Sequence, residues 1–306
     1  MAITVDTSLG VFSTASLGDI IEEVLSNLQG YTAAPDQLTS LSESIDPDQL
    51  SFRVDDAAGI SSGVIEINSE LMWVKSYDQA SATVVLLPRG RGWRSTNKET
   101  HLAGDTVVIS PAVPRSVVAR EINNQLASLY PSLFCVGTHE FMLDDPLKVA
   151  WEVPIEVESI LDVRYKDFLG NWQRVTHWEV EYSSDAGITS GISLRISNVP
   201  VGFKVQVVYG KRPRKLGSEN ATLAGAGLPV GAKDLLVLGC MARIIPMLDV
   251  SRLTVQHVAA DELATPRPLG SASALADKLW KQYAQRLAEE RRILTDRYPA
   301  RIHWTR

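Results

Sequence analysis

The period of the hydrophobic residues changes four times along this chain, and this change most constrains the fold. Apolar residues recur every three to four positions in four segments, at about 16–28, 114–130, 231–248 and 271–298, which predicts helices. Apolar and polar residues alternate at about 50–109 and 137–210, which predicts strands between glycine-marked turns. We therefore expect an α+β fold, a four-helix bundle with two inserted antiparallel β modules.

The same pattern predicts where the parts of the chain begin and end. We expect a first helix and a Ser-, Asp- and Pro-rich loop over 1–49, a small β sheet or barrel over 50–111 and a second helix over 112–134. A second β domain follows over 135–215, then two helices over 216–298 and an extended tail over 299–306. Pro299 ends the last helix, because proline cannot continue it.

Charge is unevenly placed. The net charge of -6 argues against a protein that coats nucleic acid, since neutralising phosphates needs clustered Lys and Arg. Eleven acidic residues and one basic residue lie between 19 and 70, whereas eight basic and three acidic residues lie between 278 and 306. Two interpretations stay open: solvated faces of opposite sign, or a basic C-terminus that docks on an acidic neighbour.

The sequence contains none of the spacings that catalysis or metal binding requires. The five histidines, at 101, 139, 177, 257 and 303, form no i, i+4 pair and no Cys/His set, so we expect no metal. No nucleophile elbow or phosphate-binding loop is present. We expect no enzyme and no cofactor; a hydrolase using His101 or His177 is the weakest alternative.

We expect a protein that is not secreted by a recognisable route and does not span a membrane. The N-terminus lacks a basic and then apolar leader, and the longest apolar run, 235–248, contains Arg243 and Pro246. Cys135 and Cys240 lie in apolar surroundings without Cys-x-x-Cys spacing, which indicates buried, reduced thiols.

The stretch 88-PRGRGWRSTNKETHLAGDTVVIS-110 is the most informative motif. It is typical of a polar loop between two glycine turns and two strands. Arg89, Arg91 and Arg94 place three cations on this loop, and His101 follows them. The loop either protects a sheet edge from pairing or contacts an acidic neighbour or a DNA backbone.

This stretch resembles the pattern Arg-Gly-x-x-Gly-Thr, then His-x-x-Gly-x-x-Val, of small β modules in the neck and tail proteins of tailed bacteriophages. The residues that match are Arg89, Gly90, Gly92, His101, Gly104 and Val107, while Trp93 stands in place of Thr. Together with the order of helices and β regions, the chain resembles a head-to-tail connector, or adaptor.

The resemblance implies a structural protein of the virion neck, assembled in the bacterial cytoplasm. It implies a ring, usually a dodecamer, that binds the portal protein above and a stopper, tail terminator or tail tube below, and that lets DNA pass. The tail residues Tyr298, Arg301, Ile302, Trp304 and Arg306 would dock on the portal. The alternative is another virion module, in a baseplate or fibre attachment, that binds a partner or carbohydrate through Trp151, Trp172 or Trp178.

Overall fold

The computed structural model describes residues 13–32, 35–182, 188–256 and 271–298, without the side chains of 249–256 and 271. These residues fall into two compact units. The closed-sheet unit comprises 17–32, 35–125, 234–256 and 271–283, and the sandwich unit comprises 13–16, 126–182, 188–233 and 284–298.

Four α-helices occur in the described ranges: α1 (Leu17–Leu28), α2 (Arg115–Ser128), α3 (Ala232–Gln256) and α4 (Ser271–Arg297). Helix α1 buries one apolar stripe and exposes acidic residues on the other side, as its sequence period predicts. Pro114 precedes α2, and its carbonyl accepts the N–H groups of Val117 and Val118. Helix α3 is apolar on most sides, and Leu235, Leu236 and Cys240 on it are fully buried.

Six strands form the sheet of the closed-sheet unit. They are β1 (Gln37–Ser40), β2 (Ser51–Arg53), β3 (Gly63–Ile67), β4 (Glu70–Asp78), β5 (Thr83–Leu86) and β6 (Thr106–Ile109), in the order β1-β6-β3-β4-β5-β2. An antiparallel bridge between Leu41 and Val54 joins the two outer strands, so the sheet closes on itself. Alternate side chains fill its interior, including Phe52, Ile65, Met72 and Val107.

Two sheets form the sandwich unit. The strands are β7 (Cys135–Met142), β8 (Ala150–Glu152), β9 (Ser159–Lys166), β10 (Trp172–Arg174), β11 (Trp178–Tyr182), β12 (Ile192–Ile196) and β13 (Lys204–Lys211). One sheet has the order β10-β9-β13-β7 and the other β11-β12-β8. Val163 and Val207 of the first sheet share one core with Trp151 and Leu194 of the second.

The expected four-helix bundle with inserted β modules is wrong. The described residues form a mixed fold of four helices and three antiparallel sheets with thirteen strands. Each β region has a hydrophobic core of its own, so neither is an insertion into a helical core. An apolar stripe shows that a helix buries one face, but it does not show what covers that face.

Two smaller differences concern the β regions. The segment 32–49, expected to be a loop, contains β1, and the second β region contains two sheets. Each compact unit combines segments that are distant in sequence. The predicted extended tail, 299–306, lies outside the described residues.

Candidate functional site

The motif at 88–110 connects β5 to β6, and two of its charged residues point inward. Arg91 is 3% exposed and His101 is 1% exposed. Both contact the carboxylate of Glu70, which is itself fully buried at the first position of β4. We call Glu70, Arg91 and His101 the buried ion cluster.

Glu70 accepts five hydrogen bonds. Arg91 donates from Nε to Oε1 at 2.7 Å and from Nη2 to Oε2 at 2.9 Å, a bidentate pair. The backbone N–H groups of Gly92 and Glu99 donate at 2.8 and 3.0 Å, and His101 Nε2 lies 3.0 Å from Oε2. The carboxylate therefore connects three separate points of the loop to the start of β4.

The guanidinium group of Arg91 is also fully hydrogen-bonded. Besides its two bonds to Glu70, Nη1 donates to the carbonyls of Asp46 and Gln49, and Nη2 donates to that of Glu99. A guanidinium has five N–H groups, and here each has an acceptor. Burying this charge is tolerated because it is paired and fully hydrogen-bonded.

His101 is fixed by Asn68, in the turn between β3 and β4. Asn68 Nδ2 lies 3.2 Å from His101 Nδ1 and donates to Asp105 Oδ2 at 3.1 Å. Since Nδ1 accepts from this amide, Nε2 carries the proton and donates to Glu70. Asn68 has a φ of 52°, a left-handed conformation that asparagine adopts more readily than most residues.

The hydrogen bonds of the cluster keep the Glu70 carboxylate ionised at neutral pH. Burial by itself raises the pKa of Glu70, but the hydrogen bonds from His101, Arg91 and the backbone of Glu99 and Gly92 together lower this pKa to about 2. Every oxygen of the carboxylate is occupied, so no position remains for a substrate or a metal ion. The geometry indicates a clamp that holds the β5–β6 connection.

The predicted loop contacts need correction for two of four residues. Arg91 and His101 are buried in the clamp and do not present charge to a neighbour. Arg89 and Arg94 are exposed, so their contacts with a neighbour stay predictions. No motif in the sequence pointed to Glu70, which is one of eleven acidic residues between 19 and 70.

The structure also shifts the alignment of the motif by two residues. Thr96 Oγ1 accepts the N–H of Leu71 at 3.0 Å and donates to the carbonyl of Trp93 at 3.0 Å. Starting the pattern at Arg91 instead of Arg89 puts Gly92 in the first glycine position and Thr96 in the threonine position. In this chain, Arg91, Gly92 and Thr96 thus make contacts that hold the loop.

A second candidate site is a surface at one end of the sandwich unit. The register places the end of β7, the start of β13, the end of β9 and the start of β10 together, because Met142, Lys204, Lys166 and Trp172 are successive partners. Large apolar side chains are exposed on these strand ends and on the loops beside them. We call this set the apolar end: Met142, Leu147, Val149, Phe168, Leu169, Trp172 and Val201.

The tip of the β9–β10 hairpin is the most exposed part of the apolar end. Phe168 is 93% exposed and Leu169 is 87% exposed. Asp167 fixes the turn, since its Oδ1 accepts the N–H groups of Leu169 and Asn171 and its Oδ2 accepts from Gln173. The ring centroids of Phe168 and Phe203 are 4.6 Å apart. The side chains of Phe168 and Leu169 are therefore held in solvent by a structured turn.

The three tryptophans considered for carbohydrate binding lie in different environments. Trp151 is buried in the core of the sandwich unit, and Trp178 is partly buried and packs against this core. Trp172 lies on the edge strand β10 with the ammonium of Lys166 6.0 Å from its ring. Of these three, Trp172 is the most exposed.

The remaining candidate groups show no reactive arrangement in the described ranges. Burial raises the pKa of Cys135 and of Cys240 to about 12, so both thiols stay protonated at neutral pH. Among the described residues, no group of three or more His, Cys, Asp or Glu side chains could hold a metal ion. No described helix is long and apolar enough to cross a bilayer.

The predicted portal-docking residues lie mostly beyond the described ranges. Tyr298 follows α4, is half-buried, and its N–H donates to the carbonyl of Leu294 at 2.9 Å. Arg301, Ile302, Trp304 and Arg306 are outside the described residues. Searches of protein-family models, curated proteins and solved structures found no match to this chain.

Proposed function

We propose that this protein is a structural assembly subunit, the head-to-tail adaptor of a tailed bacteriophage. In this role it forms a ring under the portal, connects the capsid to the tail and lets DNA pass. The observation that carries the assembly role is the apolar end, with Phe168 and Leu169 held almost completely in solvent. The neck position rests on the motif at 88–110 and on the resemblance to adaptors.

The size of the apolar end supports an interface. Its seven side chains are between 37% and 93% exposed. Monomers rarely expose contiguous apolar patches larger than a few hundred Å², and larger patches mark interaction sites. The fixed hairpin turn also lowers the entropy that association costs.

Charge is consistent with a protein that DNA passes without binding. Acidic side chains are exposed on the closed-sheet unit at Asp36, Glu43, Asp46, Asp48, Asp55 and Asp56. Such a surface repels phosphate, whereas a protein that grips DNA neutralises phosphates with Lys and Arg. Helix α4 exposes Lys278, Lys281, Arg291 and Arg292 near the C-terminal segment that we propose docks on the portal.

The test is sedimentation of the full chain with the portal protein of the same virus. We expect a complex of fixed stoichiometry and a ring in negative-stain images. Deleting 299–306 should abolish portal binding and leave the circular dichroism spectrum and melting temperature unchanged. If the truncated protein binds as well as the full chain, the tail is not the docking segment; if the full chain does not bind, the adaptor role is wrong.

A baseplate or fibre-attachment module is the second candidate, since Phe168 and Trp172 place two aromatic rings on an exposed hairpin. Such a module would bind a tail protein or a glycan instead of the portal. Sedimentation with tail proteins and a glycan array separate the two candidates.

A further inference from the structure

The four-stranded sheet of the sandwich unit has two edges, β10 and β7, without a backbone partner among the described residues. In an antiparallel sheet, alternate residues direct their N–H and C=O groups towards the neighbouring strand or away from it. An edge strand thus presents a row of unused donors and acceptors that can pair with another chain. Both edges of one sheet are consequently available for assembly.

The hydrogen bonds identify the residues that face outward. Asp167 N–H donates to Asn171 and Val175 N–H donates to Val163, so Trp172 and Arg174 direct their backbone groups away from β9. Leu143 N–H donates to Phe203, so Met142 and Glu140 direct theirs away from β13. These assignments fix which registers a further strand can adopt.

Strand direction favours copies arranged side by side in the same orientation. The sheet has four antiparallel strands, so β10 and β7 run in opposite directions. When a second copy is placed beside the first without inversion, its β7 lies antiparallel to β10 of the first. The sheet then continues from copy to copy, as a closed ring of identical subunits requires.

Side chains at paired positions of the four strands form rows across the sheet, and these rows continue into the next copy at the same register. Trp172, Lys166, Lys204 and Met142 form one row on the outer face, and Arg174, Arg164, Gln206 and Glu140 form another. Extending these rows places Trp172 opposite Met142 of the next copy and Arg174 opposite Glu140 of the next copy. Both pairs join residues whose backbone groups face outward. One pair joins opposite charges, in addition to the pairs that Glu140 makes with Lys204 and Arg174 makes with Asp162 within one copy.

We propose that β10 of one copy pairs with β7 of the next, and that the apolar end is the contact between neighbouring copies. This inference rests on the proposed ring and assigns its subunit interface. The hairpin tip, Phe168 and Leu169, meets Leu147 and Val149 of the next copy, because both groups lie at the same end of the continued sheet. The exposed apolar residues beside the two edges thereby cover one another.

A two-fold symmetric contact between two copies accounts for fewer of these features. Pairing β10 with itself inverts the second copy, so the two apolar ends lie at opposite ends of the joined sheet and stay exposed. It also places Trp172 opposite Arg174 of the second copy and gives Glu140 no partner across the contact. Pairing β7 with itself separates the two hairpin tips in the same way.

Engineered cysteines test the contact in the full-length protein. Within one copy, residues 140 and 174 are three strand spacings apart, roughly 14 Å, which is too far for a disulfide. Across the proposed contact their Cα atoms are about 5.5 Å apart, within disulfide reach. The double variant Glu140→Cys/Arg174→Cys is oxidised with and without portal protein and run on a non-reducing gel.

We expect a ladder of covalent oligomers from the double variant and only monomer from either single variant. The matched control Thr138→Cys/Arg174→Cys shifts the register by two residues and should give a markedly weaker ladder. Native Cys135 and Cys240 are buried and should not contribute. A dimer from a single variant would instead indicate a two-fold contact and overturn the proposal.

Charge exchange provides a second readout that needs no oxidation. Glu140→Arg and Arg174→Glu should each weaken assembly in sedimentation, and the double exchange should restore it at least in part. Each substitution also removes a pair within one copy, Glu140 with Lys204 or Arg174 with Asp162, so the melting temperature of each variant is measured as the folding control. If the wild type forms rings while the cysteine pair gives no ladder, the contact is wrong and the adaptor role stands. If the wild type stays monomeric with and without portal, both the contact and the ring fail.

Discussion

At the scale of single residues, Glu70 is the side chain on which the closed-sheet unit most depends. It holds Arg91, His101 and two backbone N–H groups at one point, and neither it nor Arg91 has any exposed side-chain surface. A buried ion pair contributes little net stability compared with apolar residues, but removing one partner leaves an uncompensated charge. The cluster should therefore tolerate no single substitution.

Glu70→Gln should lower the free energy of unfolding by about 3–5 kcal/mol, because Arg91 remains buried without its counter-charge. Urea unfolding followed by tryptophan fluorescence measures the change. Asp48→Asn is the matched control, since Asp48 is almost fully exposed and pairs with Lys98 only at 3.4 Å. Equal effects of the two substitutions would show that the buried ion cluster is not a clamp.

The same carboxylate makes stability depend on pH. The pKa of Glu70 is lowered from 4.5 to about 2 in the folded protein, so its contribution is complete above about pH 4.5 and is lost as the pH falls towards 2. At about 1.4 kcal/mol per pKa unit, this contribution is on the order of 3 kcal/mol. The stability difference between wild type and Glu70→Gln should shrink over this range in urea titrations, and a constant difference would contradict the pKa.

At the scale of elements, the loop between β5 and β6 depends on close backbone packing. The carbonyl of Gly90 accepts the N–H of Trp73 at 2.9 Å, and the N–H of Leu87 donates to the carbonyl of Trp73 at 3.0 Å. A Cβ atom at Gly90 would lie 2.8 Å from the carbonyl oxygens of Leu87 and Trp73. These atoms belong to the backbone of two strands and cannot move aside cheaply.

Gly90→Ala should therefore destabilise the protein by about 1–3 kcal/mol, the usual cost of overpacking. Gly30→Ala is the control in the same unit, because no atom lies within 4 Å of its added Cβ. Thermal unfolding of both variants compares them directly. A melting temperature for Gly90→Ala equal to that of Gly30→Ala would show that the loop adapts.

At the scale of the whole molecule, the chain has two units with separate hydrophobic cores, and the two units carry different features. The closed-sheet unit holds the motif residues in its interior and in the clamp. The sandwich unit exposes the apolar end, where seven large apolar side chains lie together. By contrast, the exposed apolar residues of the closed-sheet unit, such as Leu38 and Tyr77, are spread over separate strands.

Replacing Phe168 and Leu169 by serine should leave folding unchanged and weaken assembly, because neither side chain is buried within the chain. The melting temperature tests the first expectation, and sedimentation with and without portal tests the second. Leu38→Ser, at 63% exposed and outside the apolar end, is the matched control. Unchanged assembly in the double variant would remove the apolar end from the interface.

The prediction of the elements succeeded better than the prediction of their arrangement. Helices α1, α2 and α4 fall close to where the periods of the sequence place them, α3 extends beyond its predicted end, and strands β2 to β13 fall within the two predicted β regions, because each period reflects one buried face. β1 was missed, since Gln37–Ser40 has no strong alternation and pairs only with a distant strand, β6. The four-helix bundle was predicted wrongly because the apolar stripe of a helix does not show which other element covers it.

The sequence by itself determined the location of most helices and strands, the buried thiols and the motif at 88–110. Only the tertiary structure decided that Arg91 and His101 turn inward, since their acceptor, Glu70, lies 21 and 31 positions earlier. It also decided that Met142, Phe168 and Trp172 share one end of a sheet. Periodicity reports local burial, whereas these arrangements depend on strand register between residues far apart in the chain.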